Sequence, residues 1–366
     1  MMYAERDGMN WRRRTNRYLA RITLFTVVSV FLPVASLPSA ELPPALDSFL
    51  KDKLELSADE IGALKQGKPQ VKLIDASDER EVALAGAVRL EAPADFIGER
   101  YREMLSSAEP GKMGIFSIPA VPGDVTGLSF PAGDLDDLEK CRAGDCKIKL
   151  YTEDMEKVRN EIDWKGGNVQ QEVDAALRED MVGLVGDYRK RGDAAIPDYA
   201  DKEQLMNAAK GFDFLLQESP LLFKYLPDFF GSVRSYPENQ LPGVDDFIFW
   251  SVEDPGSGLK ETIFLSHAFV YSATTDDGRP FVSIAHKRLH ASHYYYAALR
   301  SATIVNFSKG AEPLTYMIFL DRHLFDGKLG SFKKRMLRNG LREGLEKELI
   351  DIRQRIGKAY RQESGG

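Results

Sequence analysis

The chain has 366 residues, with 49 basic and 56 acidic side chains and a formal net charge of −7. That acidic balance disfavours nucleic acid as a partner. Its length exceeds what one hydrophobic core usually organises, so the composition predicts either two lobes or one domain with a large insertion.

At the N-terminus Arg12, Arg13, Arg14, Arg17 and Arg21 precede a largely apolar run from Ile22 to Ala35, and Leu37-Pro38-Ser39-Ala40 ends in small residues. Residues 1–40 therefore read as a secretory signal cleaved near Ala40, with Met1 or Met9 as the start. The apolar run is shorter than the roughly 20 residues that a membrane-spanning helix needs. The expected product is a soluble periplasmic or secreted protein. Cleavage would remove six basic and two acidic residues and leave a net charge of −11. The only cysteines, Cys141 and Cys146, are five positions apart. In an oxidising compartment they are expected to close a small disulfide loop across the Ala-Gly-Asp turn between them.

Residues 41–133 supply the first part of an α+β core. Val71–Asp75 and Glu81–Leu90 read as strands. Pro93 then opens a helix with Phe96, Ile97, Tyr101, Met104 and Leu105 at helical spacing. Residues 110–133 hold five glycines and four prolines and read as irregular chain. Residues 134–236 read as a helical insertion. One helix begins at Thr152 and a longer one runs from Val169 towards Arg191. A third carries Leu205, Phe212 and Leu216, and a fourth starts at Ser219-Pro220 and ends near Phe230. The aromatic piece Leu221–Phe230 is expected to pack on the sheet or to wall an apolar cavity.

Residues 237–366 change period. Asp246–Ser251, Thr262–Tyr271, Pro280–Ser292, Tyr294–Phe307 and Leu314–Asp321 are rich in aromatic and β-branched residues. Short turns at Asp276-Asp277-Gly278 and Lys309–Glu312 make them an antiparallel meander. A long helix from Ser331 to Gly357 then carries Met336, Leu337, Leu341, Leu345, Leu349, Ile352 and Ile356 as one apolar stripe. Such a stripe needs a surface to cover, and the meander is the one on offer.

The run Ala87–Ile97, with its strand and helix-opening proline, resembles the start of the START, Bet v 1 and polyketide-cyclase-like (SRPBCC) superfamily. The strand Leu314–Asp321 followed by the 331–357 helix is similar to that superfamily's closing unit. The resemblance covers residues 80–108 and 244–358 and rests on architecture; the 134–236 block has no counterpart in the simple form. It implies a helix-grip fold, in which an antiparallel meander grips a long C-terminal helix. It also implies a hydrophobic or lipid-like ligand held between the two. No cofactor is expected.

All five histidines lie between His267 and His323. In an unbroken strand His286, Arg288, His290, Ser292, Tyr294 and Tyr296 share one face, with Lys287, Leu289, Ala291, His293 and Tyr295 on the other. A bulge near Ala291-Ser292 would change that register. The simplest reading is a hydrogen-bonded strand face. The second is a ligand-binding wall drawn from Phe264, Tyr271, His286, His290, Tyr294, Tyr296 and Tyr316. The third is an acid–base centre at His290 or His293, with Lys287 or Tyr294 polarising the substrate. His-x3-His-x2-His is not a recognised metal-ligand spacing, so no metal is expected. The chain has no Gly-x-Ser-x-Gly, P-loop, Gly-x-Gly-x-x-Gly or His-Glu-x-x-His motif. The basic residues Lys333, Lys334, Arg335 and Arg338 could touch an anionic membrane surface. A protein partner for the helical insertion is the remaining alternative.

Overall fold

A computed structural model describes residues 42, 44–107, 111–254, 259–308, 314–327 and 331–364. All belong to one compact unit. The segment read as a signal, the expected Lys309–Glu312 turn and the Lys333 side chain lie outside the described residues.

Two helices not read in the sequence come first, α1 (Pro44–Asp52) and α2 (Ala58–Lys65). Ser57 and Glu60 form a capping box that starts α2. The strands β1 (Gln70–Ile74) and β2 (Glu81–Leu90) pair as a hairpin, and α3 (Ala94–Ser106) follows Pro93 as the sequence predicts. A short β3 (Met113–Ile115) interrupts the expected loop. The helical segment contains α4 (Leu135–Glu139), α5 (Thr152–Glu161), α6 (Val169–Arg191) and the two-residue strands β4 (Asp198–Tyr199) and β5 (Met206–Asn207). It ends with α7 (Ala208–Gln217), α8 (Pro220–Tyr225) and α9 (Pro227–Arg234). The single helix expected from Ser219 to Phe230 is two, because Pro227 removes Leu226 from the helical region and puts it at φ −140°.

The meander is β6 (Val244–Glu253), β7 (Thr262–Thr274), β8 (Pro280–Ala291), β9 (Tyr295–Asn306) and β10 (Thr315–Phe325), and α10 (Ser331–Ser364) closes the chain. Together they form one antiparallel sheet in the order β1-β2-β10-β9-β8-β7-β6-β3. The α+β class and the long terminal helix are as the sequence predicts.

Both faces of the sheet are covered, which makes the molecule three layers. On one face Leu84, Val88, Met317 and Phe319 meet Leu345, Leu349 and Ile356 of α10, while Val282 and Ile284 meet Ile97 of α3. The helix α10 packs chiefly across β1 and β2, whereas α3 covers β7, β8 and β9. On the opposite face α1 and α2 cover Ala85, Ala87 and Tyr316, α7 to α9 cover Phe269, Ala285 and Leu299, and the α4–α6 region covers Ile248, Trp250 and Leu265. Because each strand is apolar on both sides, the burial pattern of β2 is nearly continuous rather than alternating.

One irregularity decides which face each functional residue occupies. In the β7–β8 ladder Ser266 pairs with Arg288 but Leu265 pairs with His290, so Leu289 is an extra residue. His286 and Arg288 therefore face α10, while Lys287, Leu289 and His290 face the helical segment. The face sharing expected for His286, Arg288 and His290 is broken at Leu289, before the Ala291-Ser292 position where a bulge was considered.

Candidate functional site

The side of the sheet facing α10 is not apolar throughout. Beyond the ground covered by α3, a charged basin occupies β6 to β10. Arg288 Nη2 donates to both carboxylate oxygens of Glu253 at 2.9 and 3.0 Å, and its Nη1 donates to Ser266 Oγ at 2.8 Å. Ser251 Oγ donates to Glu253 at 2.7 Å. Next to this pair Arg300 donates to Asp321 at 3.1 Å and to Glu348 of α10 at 2.7 Å. Phe264 lies under the Arg288 guanidinium at 4.1 Å, and Phe319 lies 5.3 Å from that of Arg300.

These charges are set deep yet reach solvent. Side-chain exposure is 41% for Glu253, 37% for Glu348 and 28% for Arg300, against 4% for Asp321. Burial works to raise the Glu253 and Asp321 carboxyls. The facing guanidiniums outweigh it, Arg288 and Arg300 at Glu253 and chiefly Arg300 at Asp321, and both carboxyls are held below their ordinary range. At neutral pH the basin thus carries two guanidiniums and ionised carboxylates. Three buried polar atoms in it, Asp321 Oδ1 and both ring nitrogens of His323, have no hydrogen-bond partner among the described residues. His323 Nε2 stands 3.1 Å from Asp321 Oδ2, close enough for an ion pair but without hydrogen-bond alignment. Such groups cost free energy unless something pairs with them.

At the α3 end of the basin His286 Nε2 lies 2.6 Å from the Tyr101 hydroxyl. Burial pushes the His286 imidazole well below its ordinary pKa and the Tyr101 phenol above its own. The phenol is therefore the donor and the neutral ring the acceptor.

The residues read from the sequence as one wall are divided among several packings. Phe264 and His286 border the basin. Tyr271 stacks on Phe229 of α9 across the sheet, at 5.7 Å between ring centroids. Tyr296 packs in the same α7–α9 layer beside Arg80, and Tyr316 is buried under α1 and α2. Tyr294, at φ +58° in the β8–β9 turn, accepts a hydrogen bond from the Lys260 backbone.

The three acid–base candidates all lie on the helical side and are tied to it. His290 Nδ1 faces the hydroxyls of Tyr151 at 3.1 Å and Tyr199 at 3.4 Å. His293 places Nδ1 at 3.2 Å from the Lys147 carbonyl and Nε2 at 2.9 Å from Asp134. Lys287 is fully buried, ion-paired to Asp193 and set against the Phe212 and Tyr188 rings. His267 joins the same pattern between Tyr188 at 3.1 Å and Asp246 at 2.8 Å. Each of these side chains makes polar contacts between the sheet and the helical segment.

Comparison with family models, curated proteins and solved structures finds no match to this chain. The large antiparallel sheet and long C-terminal helix are compatible with a helix-grip architecture. The disulfide between Cys141 and Cys146 is present, with 4.5 Å between the Cα atoms. No helix among the described residues is long and apolar enough to cross a membrane.

Sequence reasoning missed Glu253, Arg300, Asp321, His323 and Glu348 as site residues. Arg300 and Asp321 did carry a signal: each is a charge inside an aromatic and aliphatic strand, and the strand neighbours of Arg300 on its own face, Ala298 and Ala302, are apolar. The pairing of the two, directly opposite across β9 and β10, is visible only in the register.

Proposed function

We propose that the protein is an exported binding protein for an amphipathic small molecule held between the sheet and α10, with the ligand's polar head in the charged basin. The observation that carries this reading is the solvent-reaching network Glu253–Arg288 and Asp321–Arg300–Glu348 on an otherwise apolar sheet face. Buried ion pairs are a poor source of stability, because desolvation costs several kcal/mol per ion and well-packed apolar replacements are often neutral. That cost falls chiefly on Asp321 and Arg288, whose side chains are 4% and 12% exposed, and charges retained at such a cost suit recognition better than folding. Orphan polar atoms at Asp321 and His323 favour a head group with both donors and acceptors. Three carboxylates against two guanidiniums disfavour a simple anion.

Export rests on the N-terminal pattern and on the disulfide, which suits an oxidising compartment. The SRPBCC resemblance supports the same placement of the ligand through architecture alone.

Titration calorimetry with lysophosphatidylcholine and palmitate tests the reading. The zwitterionic probe is expected to bind one to one and at least about tenfold tighter than the anion, a difference of about 1.4 kcal/mol. The paired replacement Glu253→Leu with Arg288→Met is expected to abolish that preference while changing stability by about 1 kcal/mol or less. If neither probe binds, or if the double variant binds as the parent does, the basin is not the ligand site.

A further inference from the structure

A second site lies on the opposite face of the sheet, independent of the basin. Between α5 and α6, over the His290 end of β8, is a cleft of about 600 Å³. Val158, Val173, Ala176 and Met181 give it apolar walls. Its rim holds five carboxylates, Glu153, Asp154, Glu179, Asp180 and Asp187, against only Lys157 and Arg191. Both cations are already engaged. Lys157 lies 2.6 Å from Glu179 and 2.8 Å from Asp180, and Arg191 lies 3.1 Å from Asp187. Asp154 has no ion-pair partner among the described residues, and its carboxylate accepts only a long hydrogen bond, 3.4 Å, from the Tyr151 backbone N–H.

The floor supplies a second polar group without a partner. His290 is 5% exposed and lines the cleft. Its Nδ1 faces the Tyr151 and Tyr199 hydroxyls, whereas its Nε2 has no hydrogen-bond partner among the described residues. A hydroxyl that donates to Nδ1 leaves the proton on Nε2, a donor at the inner end of the cleft.

We propose that this cleft binds a small organic cation with an apolar body, its ammonium group paired with Asp154 and its body lying along the apolar walls between α5 and α6. The chemistry follows from complementarity: apolar walls select an apolar body, surplus negative charge at the rim selects a cation, and a carboxylate in an apolar wall is uncompensated until a cation meets it.

The pH dependence has a definite sign. Burial, with Asp180 adding to it, pushes the Asp154 carboxyl up to about 7. The groups facing it are Asp180 and Glu179 on α6, Lys157 and Glu153 on its own helix, and the Tyr151 and Tyr199 phenols. Below pH 7 Asp154 is protonated and offers the cation nothing, so binding tightens as pH rises towards 8.

Calorimetry on the full chain with octylamine, octanoate and octanol tests this. Octylamine is expected to bind at least about tenfold tighter than either analogue at pH 8 and to weaken about tenfold by pH 6, as expected for one proton per cation. Asp154→Asn removes both the preference and the pH dependence. Ala176→Phe fills the cleft and abolishes binding by sterics, so the proposal stays testable should the first variant fold poorly. Glu253→Leu with Arg288→Met leaves octylamine binding unchanged, which separates this site from the basin. Equal affinity for all three probes, or octylamine binding that survives both Asp154→Asn and Ala176→Phe, overturns the proposal.

Discussion

Lys287 and Asp193 form an unequal pair. The lysine is fully buried beneath the helical segment, while the aspartate keeps 36% of its side-chain exposure. Burial lowers the Lys287 pKa and Asp193 opposes that shift. Removing the exposed partner strands a buried ammonium, whereas removing the buried one leaves a carboxylate that water can still reach. Asp193→Ala should therefore destabilise by about 3–5 kcal/mol and Lys287→Met by only about 1 kcal/mol, read as urea unfolding free energies. Equal effects would contradict a structural role in which the sheet-side charge depends on the helix-side one. The contrast with the basin is instructive. Lys287 is consumed by one partner, whereas Arg288, one residue on, reaches the opposite face and a partly solvated carboxylate. Adjacent positions in a strand face opposite layers, so neighbours in sequence can serve unrelated ends.

Among the elements, α10 was legible because its apolar residues repeat at helical spacing over many turns, and the five meander strands because runs rich in aromatic and β-branched residues end at short turns. The helices α1 and α2 were not, since each spans about two turns and neither carries a long apolar stripe. The Leu289 bulge left no local mark; it answers to the packing of His290 against Tyr151 and Tyr199, contacts more than 90 residues away. For that reason the candidate residues could be listed from sequence but not assigned to faces. The end of α6 shows how tightly such long-range packing is set. Gly192 has φ +56°, and a Cβ there would fall 2.0 Å from the Tyr236 carbonyl oxygen. Gly192→Ala should cost at least about 2 kcal/mol in thermal or urea unfolding, from left-handed strain together with a backbone clash. A change below 0.5 kcal/mol, the usual scale of an indifferent surface substitution, would contradict that packing.

At the scale of the whole molecule the histidines shape the acid limb of stability. Burial pushes His267 down to about 4, His290 to about 3 and His286 well below its ordinary value. The unfolded chain takes up these protons near pH 6.5 and the folded chain does not. Each ring therefore contributes stability that is fully present above pH 6.5 and is lost, by about 1.4 kcal/mol per pH unit, as pH falls towards the folded value. Asp154 pulls the other way between its ordinary 3.8 and about 7, because there the folded state holds the proton. Proton NMR of the imidazole rings should show the His267, His286 and His290 signals in their neutral positions from pH 8 down to 5. Midpoints near 6.5 for these rings would contradict their burial between layers.

The three-layer arrangement leaves the charged basin as the place where a sheet face, a long helix and unpaired polar atoms meet, and ligand binding there is the central claim. Native mass spectrometry of the protein purified from its own cells, before and after denaturation, tests it most directly. The account predicts a stoichiometric adduct of an amphipathic molecule, released on unfolding and absent from the Glu253→Leu, Arg288→Met variant. A protein that carries no adduct, or a double variant that retains the same one, would contradict it.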